Sequence, residues 1–96
     1  MNVKIGVLTL DIALPECHGL KEKRSVIKPL LNQLRKTFNV SAAEVGALDN
    51  PQASKIACAI VSNDYKFCGQ VLQKILNWLD NQRFDLMVVN DEIELI

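Results

Sequence analysis

The chain has 96 residues, 49% of them apolar and 23% charged, a composition typical of a single soluble globular domain over residues 1–96. Its 11 Lys and Arg balance its 11 Asp and Glu, and this net charge of zero excludes strong long-range steering toward anionic partners. No apolar run approaches the ~20 residues that span a membrane, and the alternating N-terminus differs from a signal peptide. We therefore expect a cytoplasmic protein with no membrane partner.

The cysteines are three in number and form no C-x-x-C pair. This pattern argues against a disulfide framework and against a zinc or redox centre. The sequence therefore predicts no metal and no cofactor. Cys58 and Cys68 are expected to be small core residues.

Residues 2–14 are predicted to form the first strand, which Pro15 ends because proline cannot donate to a sheet ladder. Apolar and polar residues alternate, but the alternation shifts by one residue after position 7. The shift predicts either a bulge near residues 6–8 or a strand whose two halves bury opposite faces. The apolar residues are Val3, Ile5, Val7, Leu8, Leu10, Ile12 and Leu14.

A helix is predicted over residues 20–37, with Gly19 at the N-cap and Asn39 in the left-handed conformation at its end. Pro29 lacks an N–H group, so the helix either kinks there or has a separate first turn, and the unbroken apolar stripe favours the kink. That stripe consists of Leu20, Ile27, Leu31, Leu34 and Phe38. The remaining helix surface carries Lys21, Lys23, Arg24, Lys28, Arg35 and Lys36.

The second half of the chain predicts two strands, a helix and a last strand. The weak pattern at 40–47 suits an edge strand, whereas 53–62 is apolar on both faces and suits a central strand. Asn63 and Asp64 precede the second helix, which ends near residues 80–81. Its stripe consists of Cys68, Val71, Leu72, Ile75, Trp78 and Leu79. The last strand, about 84–94, has Phe84, Leu86 and Val88 on one face and Met87 and Val89 on the other.

The order β-α-β-β-α-β predicts an α+β ferredoxin-like sandwich, a four-stranded antiparallel sheet with both helices on one face. The first and third strands are expected in the middle as parallel neighbours, with 40–47 and 84–94 at the edges. This fold hosts many unrelated functions, so it does not by itself indicate an activity.

Four motifs resemble the YlxP-like bacterial proteins, which are called domain of unknown function 503. The motifs are LP at 14–15 with LKEKR at 20–24, FNVSAAEV at 38–45, Asp49, and VSND at 61–64. The resemblance spans most of the chain and implies a ferredoxin-like fold with no established activity. Genes of the family tend to sit beside those of translation initiation and ribosome maturation factors, which implies a task connected with the ribosome.

The chain departs from the family pattern at three places. Gly19 stands where the family usually has a serine, so the start of the helix lacks a capping box. Pro29 is unusual within the first helix of the family. Members commonly carry a tryptophan just after the match to Asp49, where this chain has Asn50 and Pro51, so any role of that aromatic residue does not carry over.

The cations of the first helix are the candidate residues for binding an anion or an RNA backbone. Residues 21–36 hold six Lys and Arg against one Glu. The first three cations lie near a helix N-terminus, whose free N–H groups and dipole add to their positive potential. The competing interpretation is a solvated helix face without a ligand. The candidates are Lys21, Lys23, Arg24, Lys28 and Arg35.

No catalytic residue is predicted. Cys17 and His18 are adjacent in a loop, but a nucleophilic pair also needs an oxyanion site, and neighbouring side chains in an extended loop tend to point apart. The loop has one glycine, Gly19, where an acylphosphatase of this topology would have a glycine-rich phosphate loop. An enzyme for a small phosphorylated substrate is supported only by the basic start of the helix.

The two central strands contain no Phe, Tyr or Trp within 3–12 and 53–62, which argues against base stacking on the open sheet face. The sequence therefore predicts a non-enzymatic accessory of translation or ribosome maturation that contacts RNA backbone through the basic helix. Its expected partner is the ribosome or RNA. The alternative is a protein-interaction module or homo-oligomer that uses the aliphatic sheet face or an edge strand.

Overall fold

The structure is a computed structural model that describes residues 2–81 and 85–96. Its four strands form one sheet of order β2-β3-β1-β4, and both helices bury their apolar faces in the same core. This confirms the predicted α+β ferredoxin-like sandwich, with the first and third strands in the middle. The elements are β1 Lys4–Ala13, α1 Leu20–Phe38, β2 Ser41–Gly46, β3 Ala53–Ser62, α2 Tyr65–Asp80 and β4 Met87–Leu95.

The central strands β1 and β3 pair antiparallel, with Lys4 opposite Ser62 and Ala13 opposite Ala53. The prediction that these neighbours run parallel is wrong. The crossover through α1 leaves β1 and β2 parallel, and the short β2–β3 connection then reverses the chain. Strand β3 fits between β1 and β2 and is therefore antiparallel to both.

The phase shift in β1 does not arise from a bulge near residues 6–8, because β1 pairs with β3 in unbroken register. The irregularity lies further along, between Asp11 and Ile12, where β1 pairs with β4. From Gly6 onward the even-numbered positions of β1 are buried. Ile5 and Val7, which are on the other face of the strand, are half-buried. The alternative interpretation, a strand whose two halves bury opposite faces, is not observed either, because a single face of β1 is buried from Gly6 to Ile12.

Helix α1 is continuous through Pro29, which excludes a separate first turn; the kink stays a prediction. Gly19 is the N-cap, and Asn39 ends the helix with φ 51°, as predicted. The buried face is centred differently from the predicted stripe, because Leu20, Leu31 and Phe38 lie only half-buried at its margin. The buried positions are Lys23, Ile27, Leu30 and Leu34.

Helix α2 begins as predicted, since the carboxylate of Asp64 accepts a hydrogen bond from the backbone N–H of Lys66 at 2.9 Å. Strand β4 begins at Met87, and the predicted contribution of Phe84 lies outside the described residues. Leu86 and Val88 pack against the core, whereas Met87 and Val89 are exposed, so the two predicted faces of the last strand are confirmed for these residues.

The two helices approach the sheet closely, and Gly6 makes that approach possible for α2. A Cβ atom added at Gly6 would lie 3.0 Å from the Cβ of Cys68 and 3.0 Å from the Cδ1 of Leu72. At the ends of the helices, the rings of Phe38 and Trp78 meet edge to face at a centroid distance of 5.6 Å. These contacts fix α1 and α2 side by side above the sheet.

Replacing Gly6 by alanine should lower the free energy of unfolding by about 1–3 kcal/mol, because the new methyl overpacks the contact between β1 and α2. Gly69 is the matched control. A Cβ at Gly69, inside α2, meets nothing within 4 Å, so Gly69→Ala should raise stability by about 0.5–1 kcal/mol. Urea denaturation of both variants measures the difference. Equal effects would contradict the close packing at Gly6.

Candidate functional site

The start of α1 is anchored by a buried lysine. Lys23 is only 3% exposed, and its Nζ lies 2.9 Å from Oε2 of Glu44 on β2. The same ammonium donates hydrogen bonds to the backbone carbonyls of Ala47 at 2.7 Å and Asn50 at 2.8 Å. An ammonium group has three donors, so all three have a partner. The desolvation of the charge is offset by one carboxylate and two carbonyl dipoles.

These contacts hold the turn between β2 and β3. Ala47 has φ 55°, a left-handed conformation that costs a residue with a Cβ roughly 1–2 kcal/mol. The Lys23 ammonium and the N–H of Asn50 both donate to the Ala47 carbonyl, which favours this conformation. Glu44 accepts a further hydrogen bond from the hydroxyl of buried Ser54 at 2.6 Å. Helix α1, β2, the turn and β3 therefore meet in one polar network.

The expectation that Lys23 lies on the solvated surface of the helix is wrong, because its charge is buried and fully paired. The burial of Lys23 could have been inferred from the sequence of β2. Ala42 and Glu44 are two residues apart in a strand, so both face the core if one does. A carboxylate that faces the core requires a nearby donor. Lys23 is the cation that the α1–β2 packing brings to it.

Arg35 also has a structural contact. Its Nε and Nη2 donate to the carbonyl of Ala42 on β2 at 3.1 and 2.7 Å, and its Nη1 donates to the side chain of Asn32 at 3.2 Å. Strand β2 is an edge of the sheet. A cationic side chain that occupies an edge carbonyl protects the edge from pairing with another chain. The guanidinium remains exposed and charged, so it still adds to the positive potential of α1.

Three of the predicted cations form an exposed row, here called the basic stripe: Lys21, Arg24 and Lys28. They are separated by three and four residues, so they lie on one face of α1. Within residues 2–81 and 85–96, no hydrogen bond or ion pair engages any of them. Arg35 continues this face two turns later, and Lys21 to Arg35 extends about 21 Å at 1.5 Å per residue. The structure thus brings four of the five predicted residues to one surface.

A groove lies beside the basic stripe, between α1 and the end of β2. Its volume is about 220 Å³, and it is open to solvent on one side. Four apolar side chains form half of its lining, while Arg24 and Lys28 border it from the stripe. The paired Lys23 and Glu44 are also among its lining residues. We call it the α1–β2 groove; its apolar residues are Leu20, Ile27, Leu31 and Leu48. Sequence periodicity did not indicate it, because Leu48 belongs to a turn.

Cys17 and Cys58 lie in environments that do not activate a thiol. Cys17 is buried beside exposed His18, and burial, followed by the carboxylates of Glu22, Asp85 and Glu16, raises the pKa of its thiol. Burial raises the pKa of Cys58 to about 11. A raised pKa keeps a thiol protonated and unreactive at neutral pH. Cys58 and Cys68 are fully buried core residues, as predicted.

Residues 2–81 and 85–96 contain no group of three or more His, Cys, Asp or Glu side chains that could hold a metal ion. Neither helix in that part of the chain combines the length and apolar character needed to cross a membrane.

Residues 5–93 match a family described as "Protein of unknown function (DUF503)". The chain belongs to this family. It is also similar to the "Uncharacterized protein YlxP" of Bacillus subtilis (strain 168), with 32% identity over 77 residues. That match covers 80% of this chain and 84% of the relative. The family resemblance carried by the LKEKR, FNVSAAEV and VSND motifs is thus confirmed, and neither description states an activity.

Replacing Lys23 by methionine should lower the free energy of unfolding by roughly 3 kcal/mol, near the low end of the cost of breaking a buried ion pair. The low end applies because Glu44 is 21% exposed, and solvent compensates part of its lost partner. The matched control is Lys21→Met, an exposed position two residues earlier, which should change stability by no more than about 0.5 kcal/mol. Thermal or urea unfolding measures both.

A double-mutant cycle separates the ion pair with Glu44 from the two hydrogen bonds that Lys23 donates to the turn carbonyls. Glu44→Gln alone and combined with Lys23→Met should give a coupling energy of roughly 1–3 kcal/mol. Additive effects of the two substitutions would mean that the Lys23 ammonium stabilises the fold through the Ala47 and Asn50 carbonyls and not through Glu44.

Proposed function

We propose that this protein is a non-enzymatic cytoplasmic accessory of translation or ribosome maturation that binds RNA backbone through the basic stripe. The observation that carries the proposal is the contrast among the cations of α1. Lys23 and Arg35 have internal partners, whereas Lys21, Arg24 and Lys28 have none among the described residues. The fold therefore explains why Lys23 and Arg35 are cations, but it does not explain the three cations of the basic stripe.

The chemistry of the stripe suits phosphate groups. A series of exposed cations on a rigid helix can bind a polyanion without the entropic cost of ordering a loop. The stripe lies at the N-terminal half of α1, where the helix dipole adds positive potential. Only Glu22 opposes these charges within the helix. The connection with the ribosome is what the family resemblance implies, and the net charge of zero makes weak, salt-sensitive binding the expectation.

Replacing Lys21, Arg24 and Lys28 together by glutamine should weaken binding to single-stranded RNA and leave stability nearly unchanged. The slope of log Kobs against log salt should fall by about 2 units, because each lost phosphate contact contributes ~0.7 for a single strand. Fluorescence anisotropy of a labelled RNA over a salt series measures the slope. Sedimentation with ribosomes at low salt tests the same surface on the proposed partner.

A matched control removes the same charge elsewhere. Lys36, Lys66 and Lys74 are exposed, and no hydrogen bond or ion pair engages their ammonium groups among the described residues. Their triple replacement by glutamine lowers the net charge equally but leaves the stripe intact. If both triple variants lose the same affinity and slope, binding depends on overall charge and the basic stripe is not the site. Absence of RNA binding by the unmodified protein at low salt would reject the proposed function.

A second candidate function is assembly of two or more copies through the open sheet face. The specific observation is that Val7, Ala57 and Ala59 lie on this face together with Val61, which is 69% exposed. The far end of the same face carries the Asp11–Lys55 ion pair. The face also has a shallow depression lined by small residues of β2 and β3: Ser41, Ala42, Ala43, Ala57, Cys58 and Ala59. Small residues permit close approach of a second sheet. The β2 edge is less suited, because Arg35 occupies one of its carbonyls.

Light scattering at micromolar to millimolar concentration tests assembly directly. If the sheet face mediates it, Val61→Glu should shift the protein to monomer without loss of RNA binding, since the basic stripe is on a different element. A protein that is monomeric throughout this range would remove the second candidate.

A further inference from the structure

The α1–β2 groove has a mixed lining that the backbone-binding proposal does not use. Its walls are aliphatic, its border is formed by two cations of the basic stripe, and one carboxylate lies within it. Simple phosphate binding needs only the cations. An apolar recess directly beside the phosphate-binding residues suits a ligand that has an anionic group and a flat, less polar group close together.

The polar groups of the groove indicate which kind of flat group the ligand would carry. The carboxylate of Glu44 is neutralised by Lys23, so it does not repel an anion that lies on the stripe. Both of its contacts, to Lys23 and Ser54, are made by Oε2, which leaves Oε1 to accept from a ligand donor. Amino groups of nucleobases, such as N4 of cytosine, donate to carboxylates in this way. The guanidinium plane of Arg24 can in turn stack on a base.

We propose that the α1–β2 groove holds one unstacked nucleobase of a single-stranded RNA whose phosphates lie on Arg24 and Lys28. The inference rests on the proposed function and adds that the protein contacts a base as well as the backbone. At about 220 Å³ the groove is smaller than the roughly 300–1,000 Å³ of sites for drug-sized ligands, so it suits a single ring system. A paired base inside a duplex cannot enter it, so single strands are the substrate class.

The basic border favours this occupant over an apolar peptide segment. A purely apolar side chain would leave Arg24 and Lys28 without a partner at the edge of the interface, whereas a nucleotide supplies a phosphate to them and a base to the aliphatic walls. The open sheet face lacks aromatic residues on its central strands, so base contacts of this protein are shifted from the sheet to the flank of α1.

The experiment compares a cytidine octamer with an abasic octamer of the same phosphate number at one salt concentration. The base-bearing strand should bind about tenfold more tightly, which corresponds to about 1.4 kcal/mol of additional binding free energy from the base. Leu48→Ser removes an apolar wall at a position that is 58% exposed in a turn, so the fold should be kept. This variant should lose most of the tenfold difference while binding the abasic strand as before.

The control is Val89→Ser, a similar loss of an exposed aliphatic side chain on β4, at the opposite edge of the sheet from the groove, which should leave both affinities unchanged. Equal affinity of the unmodified protein for the two octamers would overturn the groove proposal and leave the backbone proposal intact. Binding of neither octamer would reject both. Binding of cytidine monophosphate as tightly as the octamer would also overturn it, because the site would then take a free nucleotide.

Discussion

The buried ion pair between Lys23 and Glu44 is the interaction on which the arrangement of α1, β2 and the β2–β3 turn depends. A charge that is 3% exposed cannot be left without partners, so the helix can pack only where the ammonium reaches the carboxylate and the two turn carbonyls. Purely apolar packing of Ile27 and Leu30 would tolerate a shift along the sheet. The ion pair does not, and in this way it fixes which cations of α1 face solvent and where the adjoining groove opens.

The cations of α1 therefore fall into two groups that the sequence presents as one. Lys23 and Arg35 bond to β2 and its turn, and their contribution is to the fold. Lys21, Arg24 and Lys28 are exposed and take no part in those contacts. This division provides a physical criterion for deciding whether a cation of α1 supports the fold or is available to a ligand. A structural cation has an internal acceptor, whereas a cation without one either binds a partner or is merely solvated, and the salt series on the stripe distinguishes these two cases.

Local periodicity was sufficient to predict the order of elements, most of their bounds, the caps at Gly19, Asn39 and Asp64, and the buried cysteines, because these depend on neighbours within a few residues. Features set by contacts across the sheet were missed. The β1–β3 direction follows from the whole topology, the bulge at Asp11 depends on β4, and the burial of Lys23 depends on Glu44, which lies 21 residues further along the chain. The α1–β2 groove needs Leu48 from a turn, and a turn has no periodicity from which its packing could be inferred.

A net charge of zero is compatible with binding a polyanion because the charges are separated across the sheet. Helix α1 packs near β2, at one edge, whereas the exposed acidic residues Asp91, Glu92 and Glu94 lie on β4, at the other edge. Three strand spacings separate the edges by roughly 14 Å, which exceeds the Debye length of ~8 Å at physiological salt. An RNA strand near α1 therefore experiences mainly the basic stripe, and repulsion from β4 disfavours its binding at the opposite edge. Such a charge distribution orients a weak ligand on one face of the protein. The base site that we propose in the groove beside the stripe would then distinguish single strands that carry bases from a bare phosphate backbone, which electrostatics alone cannot do.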